Sequence, residues 1–141
     1  MAVEGSRLKA LPLFARLSDR ERQQVARRCH AVVIERGNTL LDEGYSAYEF
    51  FVIEDGTAAV VRGGKHLRDI GPGDFLGEIA LLRGDPRTAS VIATSPVRAI
   101  AMSAHDFHEM IESSPKIARL MEESIEERLS RDRLFGLTDD A

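Results

Sequence analysis

Gly77-Glu78 and Arg87-Thr88-Ala89 are the residues of this chain whose types and spacing point to binding chemistry. A glycine ahead of a helix-favouring turn, here Glu78-Ile79-Ala80-Leu81-Leu82, leaves the first amide hydrogens of that turn unobstructed. Those amides and the helix dipole favour an anion. Arg87 follows ten positions after Gly77, behind Pro86, which fixes its backbone approach, and ahead of Thr88 and Ala89, which are small enough to leave room for a ligand. A planar guanidinium holds two phosphate oxygens at once. Glu78 does not fit a bare phosphate, because a carboxylate beside an anion is repelled unless it accepts a hydrogen bond from something else. A ribose hydroxyl is such a donor. Arginine for the exocyclic oxygens of a phosphate, glutamate for a 2'-OH and free amides between them describe a cyclic nucleotide more closely than ATP. The ATP P-loop needs Gly-Lys-Ser or Gly-Lys-Thr, and Gly64-Lys65-His66 is neither.

The elements that must position these residues change period along the chain. From Leu8 to about Cys29 the spacing is helical: Leu8, Leu11, Leu13, Phe14 and Leu17 cluster around Pro12, and Val25, Ala26 and Cys29 share a stripe. Ser18 with Glu21 three positions on is a capping box, so a helix is predicted from Asp19. Short β-rich runs then follow at 31–35, 39–42, 49–54, 57–62, 65–70, 88–94 and 97–102, divided by glycine-bearing turns, of which Asp55-Gly56 and Gly63-Gly64 read as hairpins. Many short strands at this spacing predict an antiparallel sandwich or jelly roll, interrupted once by the helical turn after Gly77. Helical period returns at Ser103, whose partner Asp106 is a capping signal, and Phe107, Met110 and Ile111 share a face. Ser114-Pro115 starts a second helix running to about Leu134, with Ile117, Leu120, Met121, Ile125 and Leu129 as its stripe. The expected fold is α+β: an antiparallel β jelly roll (double-stranded β-helix) flanked by N-terminal helices and two C-terminal helices. Residues 1–7 are expected to be a flexible N-terminus, 8–134 the folded domain and 135–141 a tail.

At this point the sequence resembles the cyclic-nucleotide-binding domains of bacterial catabolite regulators, cyclic AMP-dependent kinase regulatory subunits and cyclic-nucleotide-gated channels. The family's phosphate-binding cassette runs Gly-Glu, an apolar, a small and an apolar residue, a short gap, then Arg, a small or hydroxyl residue and Ala. Gly77-Glu78-Ile79-Ala80-Leu81 and Arg87-Thr88-Ala89 match it position by position. A second signature appears as Gly44, Phe50-Phe51-Val52-Ile53 and Gly56, and the likeness covers roughly Leu11 to Leu134. Tyr45 departs from it, standing where many members carry Asp or Asn. The resemblance implies that Glu78 binds the ribose 2'-OH, Arg87 the cyclic phosphate, and the Ala80, Thr88 and Ala89 region amide contacts around it. A hydroxyl at Thr88 is associated with cyclic GMP in parts of the family, yet bacterial cyclic AMP receptors carry one too. Cyclic AMP is therefore the expected ligand, with cyclic GMP as the alternative. The residue that caps the base comes from the C-terminal helix or beyond, with Met121, Ile125 and Arg128 as candidates.

Composition narrows the classes. The chain has 141 residues, 43% hydrophobic and 30% charged, which suits one globular domain. A net charge of -4 argues against a protein whose main task is neutralising nucleic-acid phosphates. One cysteine, Cys29, allows no internal disulfide and reads as a buried apolar side chain. With no signal-like or membrane-length apolar run, the expected location is the cytoplasm. A metal-dependent cupin enzyme needs clustered histidine ligands, whereas His30, His66, His105 and His108 are scattered. The expectation is a non-catalytic receptor with no metal and no cofactor beyond its ligand. A degenerate fold serving only protein interaction is the alternative, and intact Glu78 and Arg87 argue against it. No helix-turn-helix reader of DNA is expected within the chain. The signal would pass to an unidentified effector protein or fused domain, and a second copy joined through the last helix is a candidate partner.

Overall fold

A computed structural model describes residues 3–41, 49–77 and 89–134, with the side chains of 124, 125 and 128–134 outside that description. The N-terminal segment comprises α1 (Gly5–Leu8), a 3-10 turn at Pro12–Phe14 and α2 (Asp19–Ala26). Helix α2 starts where the capping box places it: Glu21 N donates to Ser18 Oγ at 3.1 Å, and Ser18 N donates to Glu21 Oε1 at 2.8 Å. Eight strands follow: β1 (Cys29–Ile34), β2 (Thr39–Leu41), β3 (Glu49–Asp55), β4 (Ala58–Arg62), β5 (Lys65–Ile70), β6 (Phe75–Leu76), β7 (Ser90–Ala93) and β8 (Val97–Ser103). Two helices follow β8 among the described residues, α3 (Ala104–Ser113) and α4 (Pro115–Leu134). Ser103 caps α3 by accepting from Asp106 N, and Ser114 Oγ accepts from Ile117 N at 3.3 Å in the first turn of α4.

The strands form two antiparallel four-stranded sheets, an inner one in the order β1-β8-β3-β6 and an outer one in the order β2-β7-β4-β5. The inner sheet is covered on both faces. On β3, Phe50 and Val52 point to the helices while Phe51 and Ile53 point into the roll; on β8, Ile100 and Met102 face the helices and Val97, Ala99 and Ala101 the roll. Double burial is why these strands read as unbroken apolar runs rather than alternating ones.

Several boundaries differ from the sequence reading. Gly63-Gly64 is a two-residue hairpin, with Arg62 paired to Lys65 and both glycines at positive φ, 57° and 79°. Asp55-Gly56 is not a hairpin: β3 pairs with β8 and β6, β4 with β5 and β7, so this turn carries the chain from one sheet to the other. Gly56, at φ 93°, must be glycine, since an added Cβ would lie 2.2 Å from the Pro96 carbonyl oxygen. Cys29 is the first residue of β1, opposite Met102, and not part of α2. Its spacing from Val25 satisfies a helical stripe and the start of a strand equally. Strand β6 escaped the sequence reading because two residues are too few to show a period.

Residues 3–7 of the N-terminal segment are described. Val3 is buried, Leu8 is fully buried, and Arg7 pairs with Glu54 on β3. Arg22 is buried, which is unusual for an arginine. Its guanidinium is buried and donates to the carbonyls of Phe14, Ala15 and Leu17 while pairing with Asp19, so it terminates the 3-10 turn and ties it to α2.

Candidate functional site

The strands that flank the cassette belong to different sheets. Its leading edge is β6, where Leu76 pairs with Phe51 and Phe75 with Val52 on the inner sheet. Its trailing edge is β7, where Ser90 pairs with Val61 on the outer sheet. Gly77 and Ala89, the first and last cassette residues that were singled out, are both described. Gly77 has φ 93°, in the left-handed region that a side chain disfavours, so the chain leaves β6 through a turn that glycine permits. Ala89 is fully buried, in the cluster that fills the roll. Glu78, Ile79, Ala80, Arg87 and Thr88 lie outside the described residues, as does Tyr45.

The ends of β6 face two ways. Leu76 is buried in the roll interior, whereas Phe75 packs against the helix-facing core. The Phe75 ring lies 6.2 Å from that of Phe50, and Phe50 lies 5.3 Å from Phe107 on α3, both pairs tilted near 45°. These spacings are those of favourable aromatic pairs. A line of three rings therefore joins the strand entering the cassette to the first C-terminal helix.

Of the candidate base caps, Met121 is 2% exposed and packs in the helix-facing core with Phe14, Phe107 and Met110. Ile125 and Arg128 lie on α4, with side chains outside the described residues. Three histidines meet carboxylates, His30 with Glu49 at 3.3 Å, His66 with Asp69 at 2.8 Å and His105 with Glu109 at 3.3 Å, the last beside Asp106. Arg28 occupies the same carboxylates, 3.0 Å from Glu109 and 3.7 Å from Asp106, and its guanidinium holds the Glu109 carboxyl below its usual range. Burial pushes the Cys29 thiol up to about 12, with Asp106 adding to the shift, so it carries no reactive thiolate near neutral pH.

The sequence model of the family described as cyclic nucleotide-binding domain matches residues 31–114, which include the whole cassette. The chain belongs to the cyclic nucleotide-binding domain family. It is 32% identical over 104 residues to a cAMP-dependent protein kinase regulatory subunit of Hypocrea atroviridis, covering 74% of this chain and 22% of that protein. It is also 32% identical over 119 residues to a cyclic nucleotide-gated potassium channel of Rhizobium etli, covering 84% of this chain and 33% of the channel. Among solved structures, the regulatory domain of Toxoplasma gondii PKA with cAMP superposes with a TM-score of 0.75 at 24% identity, over 88% of this chain and 49% of that one. This likeness establishes the shared β roll with flanking helices. The cyclic nucleotide-binding domain here spans between about a fifth and a third of the two curated relatives' length. Among the described residues, no helix is long and apolar enough to cross a membrane.

Proposed function

We propose that the chain is a non-catalytic receptor for cyclic AMP that passes a conformational change through α3 and α4 to an effector, either a separate protein or a fused domain. The observation that carries this reading is the full set of cassette residues, Gly77-Glu78-Ile79-Ala80 and Arg87-Thr88-Ala89, inside the span matched by the family. In this reading Arg87 grips the cyclic phosphate bidentately, Glu78 accepts from the ribose 2'-OH, and backbone amides from Gly77 to Ala80 and around Thr88 and Ala89 complete the anion cradle. The left-handed turn at Gly77 supports it by opening the chain ahead of those amides. Met121, Ile125 and Arg128 on α4 are the candidates for covering the base.

The transmission step follows from what β6 touches. When the ligand draws the turn after Gly77 inward, Phe75 shifts against Phe50, and Phe107 on α3 responds. A ligand moves this equilibrium only by the difference between its affinities for the two arrangements. Reading the relatives' names, a kinase regulatory subunit and a channel, onto this chain makes an effector of either kind its partner and the cytoplasm its location.

Side-by-side calorimetric titration with cyclic AMP, cyclic GMP and 5'-AMP tests the reading. The expected result is one site per chain, tightest for cyclic AMP and much weaker for 5'-AMP, whose open phosphate carries a different charge and shape. Absence of binding by both cyclic nucleotides at millimolar concentration would overturn it in favour of a fold that has kept its shape and lost its ligand.

A further inference from the structure

Directly opposed residues of an antiparallel pair share a face, so the register of the outer sheet assigns each of its side chains to the roll interior or to the outside. Ala93, Ala58 and Ile70 make one inward row across β7, β4 and β5, and all three are buried in the roll core. The next inward row is Leu41, Val91, Val60 and Arg68. Its first three members are again buried in that core, and the fourth is a half-buried arginine, the one charged residue in the two rows. Its neighbour Asp69, opposite Ala59, is exposed, as the alternation requires. The register shifts just beside Arg68: Val60 opposes Arg68 while Val61 opposes His66, with Leu67 as the extra residue. Bulges of this kind re-aim the side chains next to them.

The Arg68 row lies at the end of the roll that carries the cassette. Asp55-Gly56 takes the chain from β3 to β4 at one end, so the start of β3 and the end of β4 lie at the other. Leu76 pairs with Phe51 near the start of β3, and Ser90 pairs with Val61 near the end of β4. Gly77 and Ala89 therefore both leave the sheets at this second end, and Val91, in the Arg68 row, is two residues inside Ala89. Strand β4 separates β7 from β5, so at about 4.8 Å per strand Arg68 starts roughly 10 Å across the roll from the strand that continues Arg87-Thr88-Ala89. That separation is comparable with the length of one cyclic nucleotide. With the phosphate on Arg87, as the receptor reading has it, the purine is the part left to face β5. A guanidinium offers donors only. Guanine presents two adjacent acceptors, N7 and O6, whereas adenine presents N7 beside the N6 amino donor, so an arginine satisfies both guanine positions and one of adenine's.

We infer that Arg68 is a specificity-determining residue that meets the N7 edge of the bound purine and draws the site toward guanine, narrowing its preference for cyclic AMP. The inference rests on the receptor reading of the cassette. Calorimetric titration of the parent and Arg68→Met with cyclic AMP, cyclic GMP and 7-deaza-cyclic GMP tests it. Methionine keeps the length of the side chain and removes its donors. The expected result is that Arg68→Met loses at least about tenfold more affinity for cyclic GMP than for cyclic AMP, as for a lost bidentate contact to guanine. The 7-deaza analogue, which lacks the N7 acceptor, should bind the parent more weakly than cyclic GMP and bind Arg68→Met equally well, an equality that a merely structural role for Arg68 would not produce. Circular dichroism melting confirms that the variant is folded. A folded Arg68→Met chain with the parent's ratio of cyclic GMP to cyclic AMP affinity, or one that still distinguishes cyclic GMP from its 7-deaza analogue as the parent does, would overturn the inference and leave the receptor reading standing. A parent chain that binds neither cyclic nucleotide would overturn both.

Discussion

The two apolar cores of this protein share the same two central strands and are built from different residues. The core between the inner sheet and the helices holds Phe14, Phe50 and Phe107 together with Met102, Met110 and Met121, which are all the methionines of the chain except Met1. The core inside the roll holds Ala58, Ala89, Ala93, Ala99 and Ala101 among valines, isoleucines and leucines, with Phe51 as its one aromatic residue among those described. Small and β-branched side chains have few rotamers, so the roll interior has essentially one way to pack. Methionine is unbranched and adapts to irregular gaps. The difference sets a core of small and branched side chains, which holds Leu76 and Ala89 at the two ends of the cassette, against one of rings and methionines.

That contrast can be broken most forcefully at Phe107, which is fully buried and touches Phe50. Phe107→Ala should cost about 3–5 kcal/mol in urea unfolding, from lost burial and an unfilled cavity. A cost near zero would mean the helical layer contributes little to stability. Neighbours on β8 then sharpen the comparison, because Ala101 and Met102 face opposite cores and can be replaced by the same residue. Ala101→Leu should destabilise by about 1–3 kcal/mol through overpacking of the roll, whereas Met102→Leu should cost less than about 1.5 kcal/mol. Equal costs would mean that the roll interior has room for the added atoms at Ala101.

The smallest effect concerns the rim between the N-terminal and C-terminal helices. Lys116 Nζ lies 2.8 Å from Glu21 Oε1, and this contact, with the Ser18 cap, lowers the Glu21 carboxyl from 4.5 to about 2. A carboxyl whose folded value lies below its unfolded one contributes stability that is present above the unfolded value and lost as pH falls through the folded one. Stability should therefore decline between about pH 5 and pH 2. Glu21→Gln should flatten part of that decline and leave the slope between about pH 6 and pH 8 unchanged. Added salt should reduce the effect, because the pair is solvent-exposed. Urea midpoints of parent and variant across this range measure it.

Much of this arrangement was legible in the residues. Ser18, Ser103 and Ser114 marked three helix starts through their hydroxyls, and Gly63-Gly64 marked a hairpin, because capping and tight turns are decided by a few neighbouring atoms. Asp55-Gly56 misled because a positive-φ turn looks the same locally whether the next strand joins the same sheet or the facing one. The burial of Arg22 was hidden for a related reason: its three acceptors are carbonyls of Phe14, Ala15 and Leu17, and nothing in their side chains announces them. The family was legible in the pattern of residue types from Gly77 to Ala89, which lies within the span that the family matches. The base cap was not, because apolar cover over a purine is indistinguishable in sequence from helix packing, and Met121 illustrates the ambiguity by packing in the helix-facing core.

The receptor reading is tested most directly by calorimetric titration of Arg87→Ala with cyclic AMP beside the parent chain. Loss of the charged hydrogen bonds to the cyclic phosphate predicts a roughly 10- to 150-fold weaker affinity, about 1.5–3 kcal/mol, with the melting temperature unchanged. A folded Arg87→Ala chain that binds cyclic AMP as tightly as the parent would contradict the account.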